Sequence, residues 1–374
     1  MRFSEIPGLG EEKQKLINAV GRNHVAHAQL FYGKEGSANL AMALAFISFL
    51  NCEQPGENDS CGECASCRKI DKLVHPDLHL VFPVAPTTKI KGKDVVSDRF
   101  AAEWRAFATE HPYGGASDWL GYYGFENKQG NISKEESRQI VKHLSLKAFE
   151  AKYKVMLIWL PEYMNGAAAN AILKVLEEPP GGTLFFLVSH NYEQLLTTIT
   201  SRVQLFTIRP FEDQEIVEHI TSRQELTADK ANKVATLAEG SLNEALKLID
   251  QTDDDQSDVF GEWMRECWQM KFKELIDKSN AFHGNSKVAQ KSTLAYFLNM
   301  LRDALIAQYS PGLLRVRDEE KDFILNFSKA MNSDKLEFMI KEINSGLYHL
   351  ERNANAKILF LDISLKISSI IRRG

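Results

Sequence analysis

The chain has 374 residues, more than one ordinary domain holds, so two or three domains are expected. Its 44% hydrophobic and 25% charged residues are those of a folded globular protein and exclude a disordered chain. The formal net charge of −5 excludes a global positive field that would draw the chain onto DNA or anionic lipid, and no apolar run approaches membrane-spanning length.

The opening MRFSEIPGLGEEKQKL has no signal-peptide core, so a cytoplasmic location with no membrane partner is the expectation. Helical periodicity follows over 11–23. Residues 28–33 (AQLFYG) are a short apolar run rich in β-formers, and a helical pattern over 39–51 comes next. Further strands are expected at LHLVFPV (78–84), KVMLIWL (154–160) and TLFFLVSH (183–190), with helices over 133–147 and 167–178. Ser133 and Glu136 have capping-box spacing, and Pro179-Pro180 ends the preceding helix. Strands interleaved with helices over residues 1–210 predict a parallel sheet covered on both faces.

Residues 85–130 interrupt this alternation with Trp104, Tyr113, Trp119, Tyr122, Tyr123 and Phe125 among turn residues. Such a segment is either an insertion packing its rings on the domain or a stacking platform for single-stranded nucleic acid. After IRPF (208–211) the β signal disappears. Residues 211–252 read as short helices broken at Gly240-Ser241, TDDDQSD (252–258) as an acidic linker, and 259–374 as an all-helical domain. Cys267, alone on a helix, is expected to be a core residue.

The other four cysteines, Cys52, Cys61, Cys64 and Cys67, form a C-x8-C-x2-C-x2-C array. Two tight steps with polar, glycine-containing spacers let three thiolates converge, and the longer loop returns the fourth. Without a secretion signal a metal is favoured over disulfides, and four sulfur ligands leave no open position, so a structural Zn²⁺ is expected. His75 and His79 lie nearby and read as surface or packing residues.

The stretch LFYGKEGSANLAMALAF (30–46) has the shape of a phosphate loop, with Gly33 and Gly36 between a strand and a helix. In G-x-x-x-x-G-K-[ST], lysine neutralises phosphate charge and the hydroxyl holds magnesium. Here Ala38 replaces the second glycine, and Asn39 and Leu40 take the lysine and hydroxyl places. After KVMLIWL, Trp159 and Leu160 stand where an acidic pair would hold magnesium and polarise water; Glu162 comes late, beyond Pro161. Together these losses read as an inactive site on which ATP is not productively bound.

The block MNGAAANAILKVLEEPPGGTLFFLVSHNYEQLLTTITSRVQ (164–204) resembles the core signature of bacterial DNA polymerase III clamp-loader subunits, an AAA+ family. The N-terminal IPGLGEEKQKLINAVGRNHVAHAQLFYG, the position of the cysteines and the C-terminal ERNANAKILFLDISLKI are similar to that family too. The resemblance implies an AAA+ (RecA-like) P-loop α/β domain over 1–210 with the zinc module at 52–67 and the insertion at 85–130. It further implies a helical lid over 211–252 and a helical collar over 259–374. Within the family, a degenerate loop with a kept Ser-Arg pair is similar to the delta-prime branch, which does not hydrolyse ATP itself. Carried over, Ser201-Arg202 matches that pair, and Arg202 becomes a trans-acting arginine finger for a neighbouring subunit. Val203 replaces the family's cysteine, and Glu244 falls where an ATP-binding subunit has its sensor arginine. Ser189 keeps the hydroxyl of the sensor strand.

The expectation is therefore a non-hydrolysing clamp-loader subunit acting in DNA replication within the DNA polymerase III holoenzyme. Its partners would be clamp-loader ATPase subunits and the delta subunit in a pentameric ring, with the sliding clamp and primer-template DNA reached through the complex. Two alternatives stay open: an active gamma/tau-type ATPase subunit using Lys34 and Glu162 as displaced substitutes, and a zinc-containing single-stranded DNA-binding protein.

Overall fold

The structure is a computed structural model that describes residues 1–374 except 126–127, 146, 224–225, 250–254, 286, 311–313, 315–317, 353 and 373–374. Side chains at 229, 255–258, 287–288, 318–320 and 351 are also outside the description. The chain divides into two compact units, Met1–His219 with Gly240–Glu244, and Ile220–Glu239 with Ala245–Gly374.

The first unit is built on a five-stranded sheet: β1 (Ala28–Tyr32), β2 (Leu78–Val81), β3 (Lys154–Trp159), β4 (Thr183–Ser189) and β5 (Gln204–Thr207). All pairings are parallel, in the order β2-β3-β4-β1-β5. Every residue of β3 and β4 is buried, as a parallel sheet covered on both faces requires. The sequence reading did not pick out β5. It is a four-residue edge strand whose residues are mostly exposed, so it carries no apolar run.

The helices of this unit are α1 (Gly10–Gly21), α2 (Asn39–Leu50), α3 (Ala65–Asp71), α4 (Ala101–Glu110), α5 (Ala116–Tyr122), α6 (Lys134–Ser145), α7 (Gly166–Glu177) and α8 (Thr197–Thr200), with α9 (Asp213–Arg223) beginning in it. Alternation along β1 sends neighbouring side chains to opposite faces. Leu30 joins Ile140, Leu144, Ile172 and Leu176 of α6 and α7. Phe31 instead meets Phe46 of α2, 6.3 Å away, and the edge of Phe186 at 5.3 Å. All twelve residues of α2 are buried, which fits a helix apolar on every side.

The 85–130 insertion packs its rings into this core. Trp104 stacks on Phe82 at 4.8 Å, Trp119 meets the same ring edge-on at 5.5 Å, and Trp119 Nε1 donates to Pro83 O at 2.7 Å. Trp104, Tyr113, Trp119 and Phe125 are buried, while Tyr122 is exposed. The expected capping box at Ser133 forms by half: Glu136 N donates to Ser133 Oγ at 3.4 Å. The Glu136 carboxylate turns away to accept Ser97 N at 2.7 Å, which fastens the insertion to α6. Burial raises this carboxyl to about 7.

Among the described residues the regular structure of the second unit is helical: α10 (Ala228–Ala238), most of α11 (Leu242–Ile249), α12 (Asp255–Gln269), α13 (Phe272–Gly284), α14 (Lys287–Tyr309), α15 (Asp318–Ala330), α16 (Ser333–Glu351) and α17 (Ala356–Arg372). The acidic linker expected at 252–258 lies outside the described residues up to 254, and α12 takes up the rest. Trp263 is fully buried, stacks on Phe297 at 4.7 Å, and donates from Nε1 to Ser364 Oγ at 2.9 Å. Cys267 sits in this core, where burial pushes its thiol up to about 12.

Candidate functional site

Strand order positions the site. From β1 the chain runs out to β2 at one edge of the sheet, whereas from β4 it crosses to β5 at the other. The connections leaving the carboxyl ends of adjacent β1 and β4 therefore diverge, and open α/β sheets bind ligands in the crevice at such a point. The degenerate phosphate loop, residues 33–38, occupies it.

Gly33 N donates to Ser189 O at 3.4 Å, joining the loop to the end of β4. Gly36 has φ +86°, and a Cβ there would lie 1.8 Å from Ser241 Oγ, so both conformation and space demand glycine. Asn39 decides the character of the loop. It is fully buried, and its Nδ2 donates to Gly33 O at 2.7 Å and to Ser189 O at 3.3 Å. Its Oδ1 has no hydrogen-bond partner among the described residues. An active loop would send an ammonium group from this position toward phosphate. Here a carboxamide folds inward and ties the loop to the sheet.

The outer side of the loop is covered by the same unit. Leu242 N donates to Gly36 O at 3.0 Å, and Glu244 N to Ser241 Oγ at 3.2 Å. Asn243 Nδ2 donates to Asp118 Oδ2 of α5 at 2.7 Å, which fastens the insertion to this strap. Lys34 is exposed on the loop.

At the end of β3, Leu160 has a left-handed backbone (φ +56°), a strained conformation for a branched apolar residue. Its N–H donates to Val188 O at 2.7 Å, and its side chain is buried. Glu162 Oε1 accepts His190 N at 3.0 Å, and burial raises the Glu162 carboxyl. Glu162 thus braces the end of β4. No acidic pair follows β3, and no lysine and hydroxyl open α2, to stabilise the charge of phosphoryl transfer.

Ser201 and Arg202 form a separate corner between α8 and β5. Arg202 Nε donates to one oxygen of Glu177, Oε1, at 2.7 Å, and Nη2 stands 2.6 Å from the same oxygen as an ion-pair contact. Nη1 donates to Thr198 O at 2.8 Å and to Ser201 Oγ at 3.2 Å. Ser201 Oγ also donates to Thr198 O at 3.3 Å. The Arg202 side chain remains 29% exposed at the surface. The role of Glu177 was not read from the sequence, because nothing local links it to Arg202.

The four cysteines come together as their spacing predicts. Their sulfurs all lie within 4.8 Å of one another, with Cys61 and Cys67 Sγ 3.9 Å apart. A metal–sulfur distance of about 2.3 Å gives a tetrahedral edge of about 3.8 Å, so the cluster can hold one metal ion. Backbone N–H groups support the sulfurs: Cys61 N to Cys52 Sγ at 3.3 Å, Cys64 N to Cys61 Sγ at 3.3 Å, and Cys67 N to Cys64 Sγ at 3.4 Å. The N–H groups of Cys64 and Glu63 lower the Cys61 thiol to about 7, while burial pushes Cys52 and Cys67 up. All four thiols are free. The N-terminus pins the module, since Asp59 accepts Phe3 N at 3.0 Å and Ser4 N at 2.9 Å. His75 and His79 are outside the cluster.

The comparisons with known proteins bear on the same region. The model of the family described as DNA polymerase III, delta subunit, matches residues 9–212. DNA polymerase III subunit delta' of Bacillus subtilis (strain 168) is 25% identical over 321 residues, 82% of this chain and 80% of that protein. Subunit delta' of Escherichia coli (strain K12) is 28% identical over 245 residues, 65% of this chain and 60% of that one. Subunit tau of B. subtilis is 23% identical over 393 residues, 98% of this chain and 61% of that protein. The matches to these last two span about three fifths of their length. With more than half of its residues matched, the chain belongs to the DNA polymerase III, delta subunit family.

Proposed function

We propose that this chain is a non-hydrolysing, AAA+-fold subunit of the DNA polymerase III sliding-clamp loader, of the delta-prime kind, and that it lends Arg202 to the ATP site of a neighbouring subunit. The observation carrying this reading is the inward-folded Asn39. It closes the chain's own phosphate loop, while Arg202 stays accessible at a surface corner. Delta' and tau relatives both match the chain, so similarity alone does not choose between them. Asn39, and a Glu162 engaged by His190 N, favour the role without turnover. An arginine supplied in trans raises phosphoryl-transfer rates by about 10³–10⁵.

In this reading residues 1–210 are the AAA+ domain, 211–252 a lid and 259–374 a collar that holds the chain in a pentameric ring with ATPase subunits and the delta subunit. The sliding clamp and primer-template DNA are met through the assembly. The four cysteines hold one structural Zn²⁺, which fastens the 52–67 loop to the end of α2. Among the described residues no helix is long and apolar enough to cross a membrane.

Two measurements test the proposal. Titration of the purified full chain with ATP and Mg²⁺ is expected to give no saturable binding in the micromolar range. In the assembled clamp loader, Arg202→Ala is expected to lower hydrolysis about 10³-fold or more at the one neighbouring site it completes, and the total by that site's share. DNA-stimulated hydrolysis by the isolated chain would show the gamma/tau-type reading to be right. Salt-sensitive single-strand binding by the isolated chain would favour the third reading, which the buried rings of the insertion oppose.

A further inference from the structure

We infer that Glu177 is an internal counter-anion for Arg202, holding its guanidinium in the chain alone and giving way to phosphate oxygens when a neighbouring nucleotide site arrives. This rests on the reading of Arg202 as an arginine offered in trans. A guanidinium has five N–H donors. Three are engaged in hydrogen bonds within the chain, Nε–H on Glu177 Oε1 and two from Nη1 on Thr198 O and Ser201 Oγ, while Nη2 lies against Glu177 Oε1 as an ion-pair contact. Only the two Nη2 hydrogens are left, so neither edge of the guanidinium, Nε–Nη2 or Nη1–Nη2, has both prongs free for the grip by which arginine holds a phosphate. An incoming phosphate must therefore displace one of these partners.

Glu177 is the partner built to leave. Its side chain is 50% exposed, so water solvates it as it departs, and exposed ion pairs are individually weak. Thr198 O is fixed backbone, and Ser201 is the adjacent residue. Both keep hold of Nη1 and preserve the aim of the side chain while the Nε–Nη2 edge changes partner. Glu177 is also the last residue of α7, where the helix dipole disfavours an acid, so helix stability does not explain it. Glu178 beside it carries the same charge and is exposed, which makes it a matched control.

The competitor makes Arg202 selective. A singly charged anion competes poorly with a carboxylate already seated, whereas a multiply charged polyphosphate competes better. Glu177 acts through Arg202, as a positioning residue.

The test uses the assembled clamp loader carrying the full chain, with steady-state ATP hydrolysis read as kcat/KM. Glu177→Gln keeps shape and removes charge, and is expected to raise kcat/KM about two- to fivefold, the range set by the strength of an exposed ion pair. The gain should fade at high ionic strength, where screening removes the competition. Glu178→Gln is expected to change nothing, and Glu177→Gln in an Arg202→Ala background should have no effect. Equal effects of Glu177→Gln and Glu178→Gln, a fall in kcat/KM with Glu177→Gln, or loss of ring assembly in that variant each overturn the inference. If Arg202→Ala itself changes nothing, the arginine reading fails rather than the counter-anion.

Discussion

Replacing Asn39 by aspartate keeps the shape of the side chain and exchanges Nδ2 for an oxygen. In the native chain that nitrogen donates to Gly33 O and Ser189 O, at full burial. Each such bond contributes about 1 kcal/mol net, so Asn39→Ala, which loses both and leaves a small void, should cost about 2–3 kcal/mol. Aspartate loses the same bonds and also faces two carbonyl oxygens with a buried negative charge, so about 3–5 kcal/mol is expected. The order of stability is then asparagine, alanine, aspartate. Hydrogen exchange read by mass spectrometry is the suitable assay, because the chain has two units and a single two-state transition is not expected of such a chain. Peptides covering 28–50 and 183–190 should lose protection, and peptides of α14 should not. Burial would raise the folded-state pKa of the new carboxyl, so the aspartate deficit is full above that pKa and shrinks as pH falls and a protonated oxygen can donate again. Aspartate that matches the wild type, or proves milder than alanine, would refute the claim that the donor end of Asn39 closes the loop.

Metal analysis of the purified chain should give about one zinc, and Cys64→Ser should remove it and deprotect residues 52–67, since binding and local folding are linked. Gly36→Ala should cost more than the ~1 kcal/mol of a left-handed alanine, because its Cβ meets Ser241; the Leu242 amide should exchange faster as the strap lifts. Glu136 holds its proton to about 7 in the fold, against 4.5 ordinarily. Its protonated form thus supports the fold at low pH, and up to about 3 kcal/mol of stability is lost as pH rises from 4.5 through 7. Glu136→Gln should flatten that slope in the protection of α6 peptides, read by hydrogen exchange relative to intrinsic rates across pH, and an unchanged slope would count against a neutral Glu136.

Legibility followed the range of the interactions. Strands β3 and β4 could be read because burial on both faces leaves an unbroken apolar run, whereas β5 pairs on one side only and its exposed residues leave no such trace. The cysteine cluster was legible because its ligands are close in sequence and tetrahedral geometry limits their spacing. The insertion was ambiguous: an aromatic residue in a sequence does not say which surface covers it, and the answer lay in the stacking of Trp104 and Trp119 on Phe82.

The sequence by itself determined which chemistry is missing: no lysine or hydroxyl opens α2, and no acidic pair follows β3. It also determined that four thiols converge and that Ser201-Arg202 is present. Only the tertiary structure decided where the remaining side chains turn. Asn39 bonds a carbonyl 150 residues away, and Arg202 meets Glu177 across 25 residues of chain. A hydrogen bond needs its atoms within about 3 Å, and for residues so far apart only the packing of α2 and α7 on the sheet brings them there.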